Sequence, residues 1–210
     1  MSGERLLFLP GAGGNVGLWE PVARGLSHPG TREFLTWPGF GGTLPDPAVT
    51  GLDDLVERVL AQLTDSVVLF AQSMGGLIAL RVALSAPAKV RALVLSVTSG
   101  GIDLAALGAV DWRPQFERAN PGLPRWFLDA RDDLTKELLR VQIPTLLLWG
   151  DADPISPVSV GRRLTALLPS ADLVVVSGGT HDLVSERADD VLPHIECFLR
   201  KVDLVDRASQ

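Results

Sequence analysis

The chain has 210 residues, 46% of them apolar, a length and composition that suit one globular domain with a sizeable core. A net charge of −6 with no run of basic residues speaks against general nucleic-acid binding. The single cysteine, Cys197, excludes an internal disulfide, and the absence of tyrosine excludes a phenolic acid or base from any mechanism.

In chain order, Met1-Ser2-Gly3-Glu4-Arg5 leads into a short apolar run, Leu6 to Leu9. That run is shorter than the core of a signal peptide, about 7–15 residues, and reads as a first strand. No stretch approaches the roughly 20 apolar residues that cross a bilayer. A cytoplasmic location follows as the default. A glycine-rich loop, Pro10-Gly11-Ala12-Gly13-Gly14-Asn15, comes next, and Glu33–Trp37 is the second candidate strand. Leu52, Leu55, Val56, Val59, Leu60 and Leu63 form a stripe at helical spacing, and Thr50-x-x-Asp53 before it has the form of a capping box. Val67–Ala71, Ala92–Val97, Thr145–Trp149 and Leu173–Val176 are further strands. They are apolar throughout rather than alternating, as in a parallel sheet covered on both faces. Helical patterns fall at Met74–Leu84, at Val158–Leu168 behind Pro157, and at Ala188–Leu199, where Cys197 is expected to pack in the core. Asp203–Gln210 reads as a frayed polar tail. Repeated strand–helix units imply right-handed crossovers and a doubly wound sheet, with ligands beyond the carboxyl ends of the strands.

Residues 98–141 break this rhythm and read as a small helical insertion. Its span from Asp111 to Arg140 balances six basic against six acidic residues, so it offers no net field for an anionic substrate. Trp112, Phe116, Trp126 and Phe127 either line a pocket there or glue the insertion to the body.

The chemistry centres on Val67 to Leu80, where an apolar strand meets Gln72-Ser73-Met74-Gly75-Gly76 and a helix follows at once. A sharp turn there lifts a serine above the sheet as a nucleophile elbow. Ala71 stands where glycine is commonest, and the bland alternative is an ordinary N-cap serine. A serine hydroxyl needs a base, and the base an anchor. Of three histidines, His28 lies in a turn and His194 inside the last helix pattern. His181 alone follows the carboxyl end of the last strand. Trp149-Gly150-Asp151-Ala152-Asp153-Pro154 offers two acids after the fifth strand, and spacing does not choose between them. Oxyanion donors are expected from the N–H of Met74 and from the loop after the first strand, Ala12 first and Gly13 second. A phosphate loop is the rival reading of Gly11-x-Gly13-Gly14, but Val16 occupies the last glycine position and no Gly-Lys-Ser/Thr follows.

Taken in order, Leu9-Pro10-Gly11-Ala12-Gly13-Gly14 with Leu18-Trp19, then Trp37-Pro38-Gly39-Phe40-Gly41, Gln72-Ser73-Met74-Gly75-Gly76, Gly150-Asp151-Ala152-Asp153-Pro154 and Gly178-Gly179-Thr180-His181 resemble the α/β-hydrolase superfamily from Leu6 to Leu199. The turn at Pro38 and the short insertion are most similar to small, minimally capped esterases such as the pimeloyl-acyl-carrier-protein methyl ester esterases. The resemblance implies Ser73 as nucleophile, His181 as base and Asp153, three residues after the glycine, as the acid, with Asp151 a solvated loop residue. It implies hydrolysis of a small-molecule ester or thioester, free or carrier-bound, with no metal and no organic cofactor. The family's His-Gly after the first strand is Pro10-Gly11 here, Thr36 replaces an aspartate, and the usual edge hairpin has no counterpart. The expected sheet is therefore six-stranded and all parallel, in the order 2-1-3-4-5-6. The same triad serves perhydrolysis, carbon–carbon bond cleavage or lyase chemistry in relatives, and the fold also serves ligand sensors with little turnover. The sequence fixes no oligomeric state.

Overall fold

A computed structural model describes residues 4–208, with side chains as far as residue 205. Met1 to Gly3 and the last two residues of the expected tail lie outside the described residues. Six strands, β1 (Arg5–Leu9), β2 (Thr31–Phe34), β3 (Val67–Gln72), β4 (Val90–Ser96), β5 (Thr145–Gly150) and β6 (Ala171–Val176), form one sheet in the order β2-β1-β3-β4-β5-β6, every pair parallel. Around it lie α1 (Glu20–Gly25), α2 (Leu52–Leu60), α3 (Met74–Ser85), α4 (Arg113–Ala119), α5 (Arg125–Asp129), α6 (Val158–Leu167), α7 (Leu183–Glu186) and α8 (Ala188–Ala208).

The pleat sends alternate residues to opposite layers. Leu7, Leu9, Leu69 and Ala71 join one core with residues of α2, α3, α6 and the insertion. Leu6, Phe8, Val68 and Phe70 join the other, with α1, α7 and α8. There Phe8 stacks on Phe70 with centroids 4.6 Å apart, and Trp19 meets the edge of Phe70 at 5.8 Å. The central strands β1, β3, β4 and β5 are buried almost throughout, as their apolar runs require, whereas the edge strands β2 and β6 are half-exposed.

Four local readings change. The second strand sits two residues earlier than Glu33–Trp37, because Arg5 to Phe8 pair with Thr31 to Phe34 and Trp37 leaves the sheet. The box before α2 is one residue later: the Asp54 carboxylate accepts the N–H groups of Thr50 and Gly51 at 2.7 and 3.0 Å, while Asp53 pairs with Arg81. Cys197 is exposed, lying off the buried stripe Val191, Ile195, Phe198, Leu199 and Val202 of α8. The span from Asp203 is no frayed tail but continues α8 to Ala208. Arg91 ties it down, pairing with Asp203 at 2.6 Å and with Glu4, which also meets His28 Nε2 at 2.9 Å. These contacts make His28 a structural residue at the end of the sheet opposite the elbow. No helix among the described residues is long and apolar enough to cross a membrane.

At the β2 edge, Arg5 Nε and Nη2 each donate to a Glu33 carboxylate oxygen at 2.7 Å. This fork holds the Glu33 carboxyl below its ordinary range and raises Arg5 above its own. A depressed carboxyl adds stability above its unfolded value, and that stability disappears as pH falls through the folded one. Glu33→Gln is therefore expected to cost about 1 kcal/mol at neutral pH and nothing once Glu33 is protonated, as read from urea unfolding at neutral and strongly acid pH.

Candidate active site

The site forms at the carboxyl ends of β1, β3, β4, β5 and β6. Ser73, between β3 and α3, has φ 52° and ψ −118°. Positive φ at a residue with a Cβ costs on the order of 1–3 kcal/mol and persists only where the surroundings enforce it. Here they do. The Ser73 N–H donates to Ser96 O at 3.0 Å, and its carbonyl accepts Thr98 Oγ1 at 2.7 Å and the Gly76 N–H at 3.0 Å. The Ser73 side chain makes no capping bond to α3, which removes the N-cap alternative. Gly75 lets the first turn of α3 press on β1: a Cβ there would lie 2.6 Å from Pro10 O and 2.7 Å from Leu9 O.

His181 arrives on the loop between β6 and α7. Its Nε2 is 3.1 Å from Ser73 Oγ, and its Nδ1 is 2.7 Å from Asp153 Oδ2. The Asp153 side chain is fully buried, while His181 keeps 23% of its side chain exposed. Asp153 Oδ1 accepts the N–H groups of Ile155 at 2.8 Å and Ser156 at 3.2 Å, which leaves Oδ2 to accept from Nδ1–H. That assignment puts the Nε2 lone pair toward the serine hydroxyl. Gln72 Nε2 donates to His181 O at 3.0 Å and fixes the backbone of the same loop. The competing acid, Asp151, and Asp103 on the loop after β4 point elsewhere. Asp151 is exposed but not merely solvated, since it accepts the Gly178 N–H at 2.6 Å; Asp103 accepts the Ala105 N–H at 3.0 Å. His194 is exposed on α8.

The loop after β1 is held in three ways. The Gly14 N–H closes a turn on Gly11 O at 3.0 Å, Trp37 Nε1 donates to Pro10 O at 2.8 Å, and Gly14 and Gly41, both at positive φ, touch backbone to backbone. A Cβ on Gly14 would lie 2.5 Å from Gly41 N, so neither position admits a side chain. Trp37 and Gly41 thus brace a loop that carries Pro10 instead of histidine. Ala12 is buried, and its N–H meets no acceptor among the described residues. Met74 heads α3, where helix geometry supplies no acceptor for its N–H. Gly13 is exposed, with nothing within 4 Å of where a side chain would begin.

The insertion carries α4 and α5 joined by irregular chain. Its aromatics gather around Phe40, whose ring meets Trp126 at 5.7 Å and Phe127 at 5.5 Å; Trp112 lies 5.3 Å from Phe127 and 5.4 Å from Phe116. Phe127 is buried, and Trp112 and Trp126 are half-buried. The insertion therefore folds down on the turn at Phe40 and Gly41 that supports the glycine loop.

Residues 6–193 match the model of a family described as the alpha/beta hydrolase family. The chain belongs to the alpha/beta hydrolase family. This hydrolase is 38% identical over 203 residues to a pimeloyl-[acyl-carrier protein] methyl ester esterase of Pseudoalteromonas atlantica, across 93% of its own length and 69% of that protein's. It is 24% identical over 246 residues to the protein of the same name from Aliivibrio salmonicida, covering 96% and 94% of the two chains. A thermophilic esterase from Thermogutta terrifontis shares the fold with a TM-score of 0.76 at 19% identity, over 96% of this hydrolase and 91% of that chain. Three side chains of the site receive no role from the motifs: Gln72, Thr98 and Ser156, whose bonds join segments far apart in sequence. The one sequence signal is that Gln72 and Thr98 are polar residues at the carboxyl ends of apolar strands.

Proposed function

We propose that this hydrolase cleaves carboxylic esters or thioesters through an acyl-enzyme on Ser73. His181 acts as general base and then general acid, Asp153 orients it, and the N–H groups of Met74 and Ala12 receive the oxyanion. The observation that carries this reading is the continuous line from buried Asp153 through His181 to the strained serine, at 2.7 and 3.1 Å. In the forward step Ser73 Oγ attacks the carbonyl carbon as its proton passes to His181 Nε2. The Asp153 carboxylate stabilises the imidazolium across the Nδ1–H bond. The same proton goes to the leaving alcohol or thiol when the tetrahedral adduct collapses. Water, activated by His181, then attacks the acyl-enzyme and releases the acid. No metal or organic cofactor has a part in these steps.

In this reading the open space at Gly13 beside the glycine loop receives the acyl chain, and the half-buried Trp112 and Trp126, packed on Phe127, supply its apolar wall. The name of the Pseudoalteromonas atlantica relative supports a substrate ester whose acyl chain is attached to a carrier. The test is hydrolysis of p-nitrophenyl esters of graded acyl length. Wild-type protein is expected to turn them over, and Ser73→Ala to lose about 10,000-fold or more. A serine-directed phosphonate should label wild type and spare the variant. Turnover retained in Ser73→Ala would overturn the proposal, and a peroxide-dependent reaction outrunning hydrolysis would favour perhydrolysis.

A further inference from the structure

We propose that Thr98 and Ser156 are positioning residues that set the distance between nucleophile and acid independently of the histidine; the assignment rests on the proposed function. Thr98 is fully buried and Ser156 is 2% exposed. Thr98 Oγ1 donates to the Ser73 carbonyl at 2.7 Å and accepts the Gly100 N–H at 3.1 Å. The Thr98 carbonyl accepts from Ser156 Oγ at 3.2 Å, and the Ser156 N–H donates to Asp153 Oδ1 at 3.2 Å. A second connection therefore runs from Asp153 to Ser73, beneath the one that passes through the imidazole. Neither hydroxyl touches a reacting atom.

The backbone shows that this connection is enforced. Besides Ser73, one other non-glycine residue among those described has positive φ: Val97, at 43° and 1% exposed. A β-branched residue in that region is a genuine outlier, and outliers of this kind persist where the surroundings demand them. Val97 follows the last residue of β4, Ser96, whose carbonyl accepts the Ser73 N–H, and its conformation turns the chain so that Thr98 meets the Ser73 carbonyl. The two strained residues are thus joined by the Thr98 hydrogen bond. At positions this deeply buried, removing the Thr98 hydroxyl leaves the Gly100 N–H without its acceptor and removing the Ser156 hydroxyl leaves the Thr98 carbonyl without its donor, so both bonds are costly to break and the geometry is stiff. A stiff Ser73–Asp153 separation gives His181 a ready-made slot and spares the reaction that reorganisation.

The test uses the full chain with p-nitrophenyl esters. Thr98→Val keeps the shape and removes the hydroxyl, and is expected to lower kcat about 10- to 100-fold with KM within about twofold. Thr98→Ser restores the hydroxyl and is expected to recover most of kcat although it lacks the methyl group. Ser156→Ala cuts the same connection at its other end and should match Thr98→Val, with the double variant no worse than the weaker single one. Circular dichroism accompanies each measurement; should Thr98→Val not fold, Ser156→Ala decides. Wild-type kcat in the valine or alanine variant would overturn the assignment, as would a serine variant as impaired as the valine one. An inactive wild type, or an active Ser73→Ala, would overturn the proposed function and this assignment with it.

Discussion

Replacing His181 with alanine is expected to lower kcat for ester hydrolysis about a millionfold while the protein remains folded. A serine and its base act as one unit, so removing the base forfeits nearly everything the pair contributes, and the remainder is what oxyanion donors and binding supply alone. Stability should respond far less. The His181 ring is part-exposed, and truncating it leaves one Asp153 oxygen buried without its donor, a cost of about 1–3 kcal/mol set against the roughly 5–15 kcal/mol that keeps a domain folded. Release of p-nitrophenol, measured beside a thermal melt, separates the two effects. No other imidazole can stand in. His28 is held by Glu4 and by the Gly30 N–H at 3.1 Å, at the other end of the sheet, and His194 sits exposed on α8. Turnover at the wild-type rate would remove His181 from the mechanism.

What the sequence revealed and what it concealed follow from the range of the interactions involved. The central strands were legible because burial on both faces leaves an unbroken apolar run, and their order followed from the resemblance. The β2 edge was misplaced because a half-exposed strand carries no such run; its register is set by pairing with Arg5 to Phe8, not by its own residues. Cys197 was misread because apolar character alone does not say which side of a helix faces in. At the site, Ser73, His181 and the glycine loop each announce themselves locally, through a turn, a strand end or a cluster of small residues. The choice between Asp151 and Asp153 is different. Two acids one residue apart on a loop are alike in sequence, and the fold separates them by turning one carboxylate back onto the Ile155 and Ser156 N–H groups and the other onto Gly178. The partners of Thr98, Ser156 and Gln72 are hidden for a related reason. Their bonds span 25, 58 and 109 residues, and a buried hydroxyl or amide gives no local pattern that marks its distant partner.

Asp153→Asn is expected to lower kcat about 10,000-fold, and Asp151→Asn to leave it within about twofold. The asparagine is nearly the same shape, and its amide oxygen can still accept from Ile155 and Ser156. Its NH2 group then faces His181 Nδ1, which can keep that contact only by giving up its proton and becoming the acceptor. The ring proton moves to Nε2, the atom proposed to take the proton from Ser73, and the proposed base is then present in the wrong tautomer. Asp151→Asn keeps an amide oxygen for the Gly178 N–H and touches nothing else in the line, so only a loop bond weakens. Thermal melts close to wild type in both variants would locate the effect in the proton's position and not in folding. The reverse pattern, a severe loss at 151 and a mild one at 153, would move the orienting carboxylate to Asp151 and require the loop after β5 to rearrange when substrate binds.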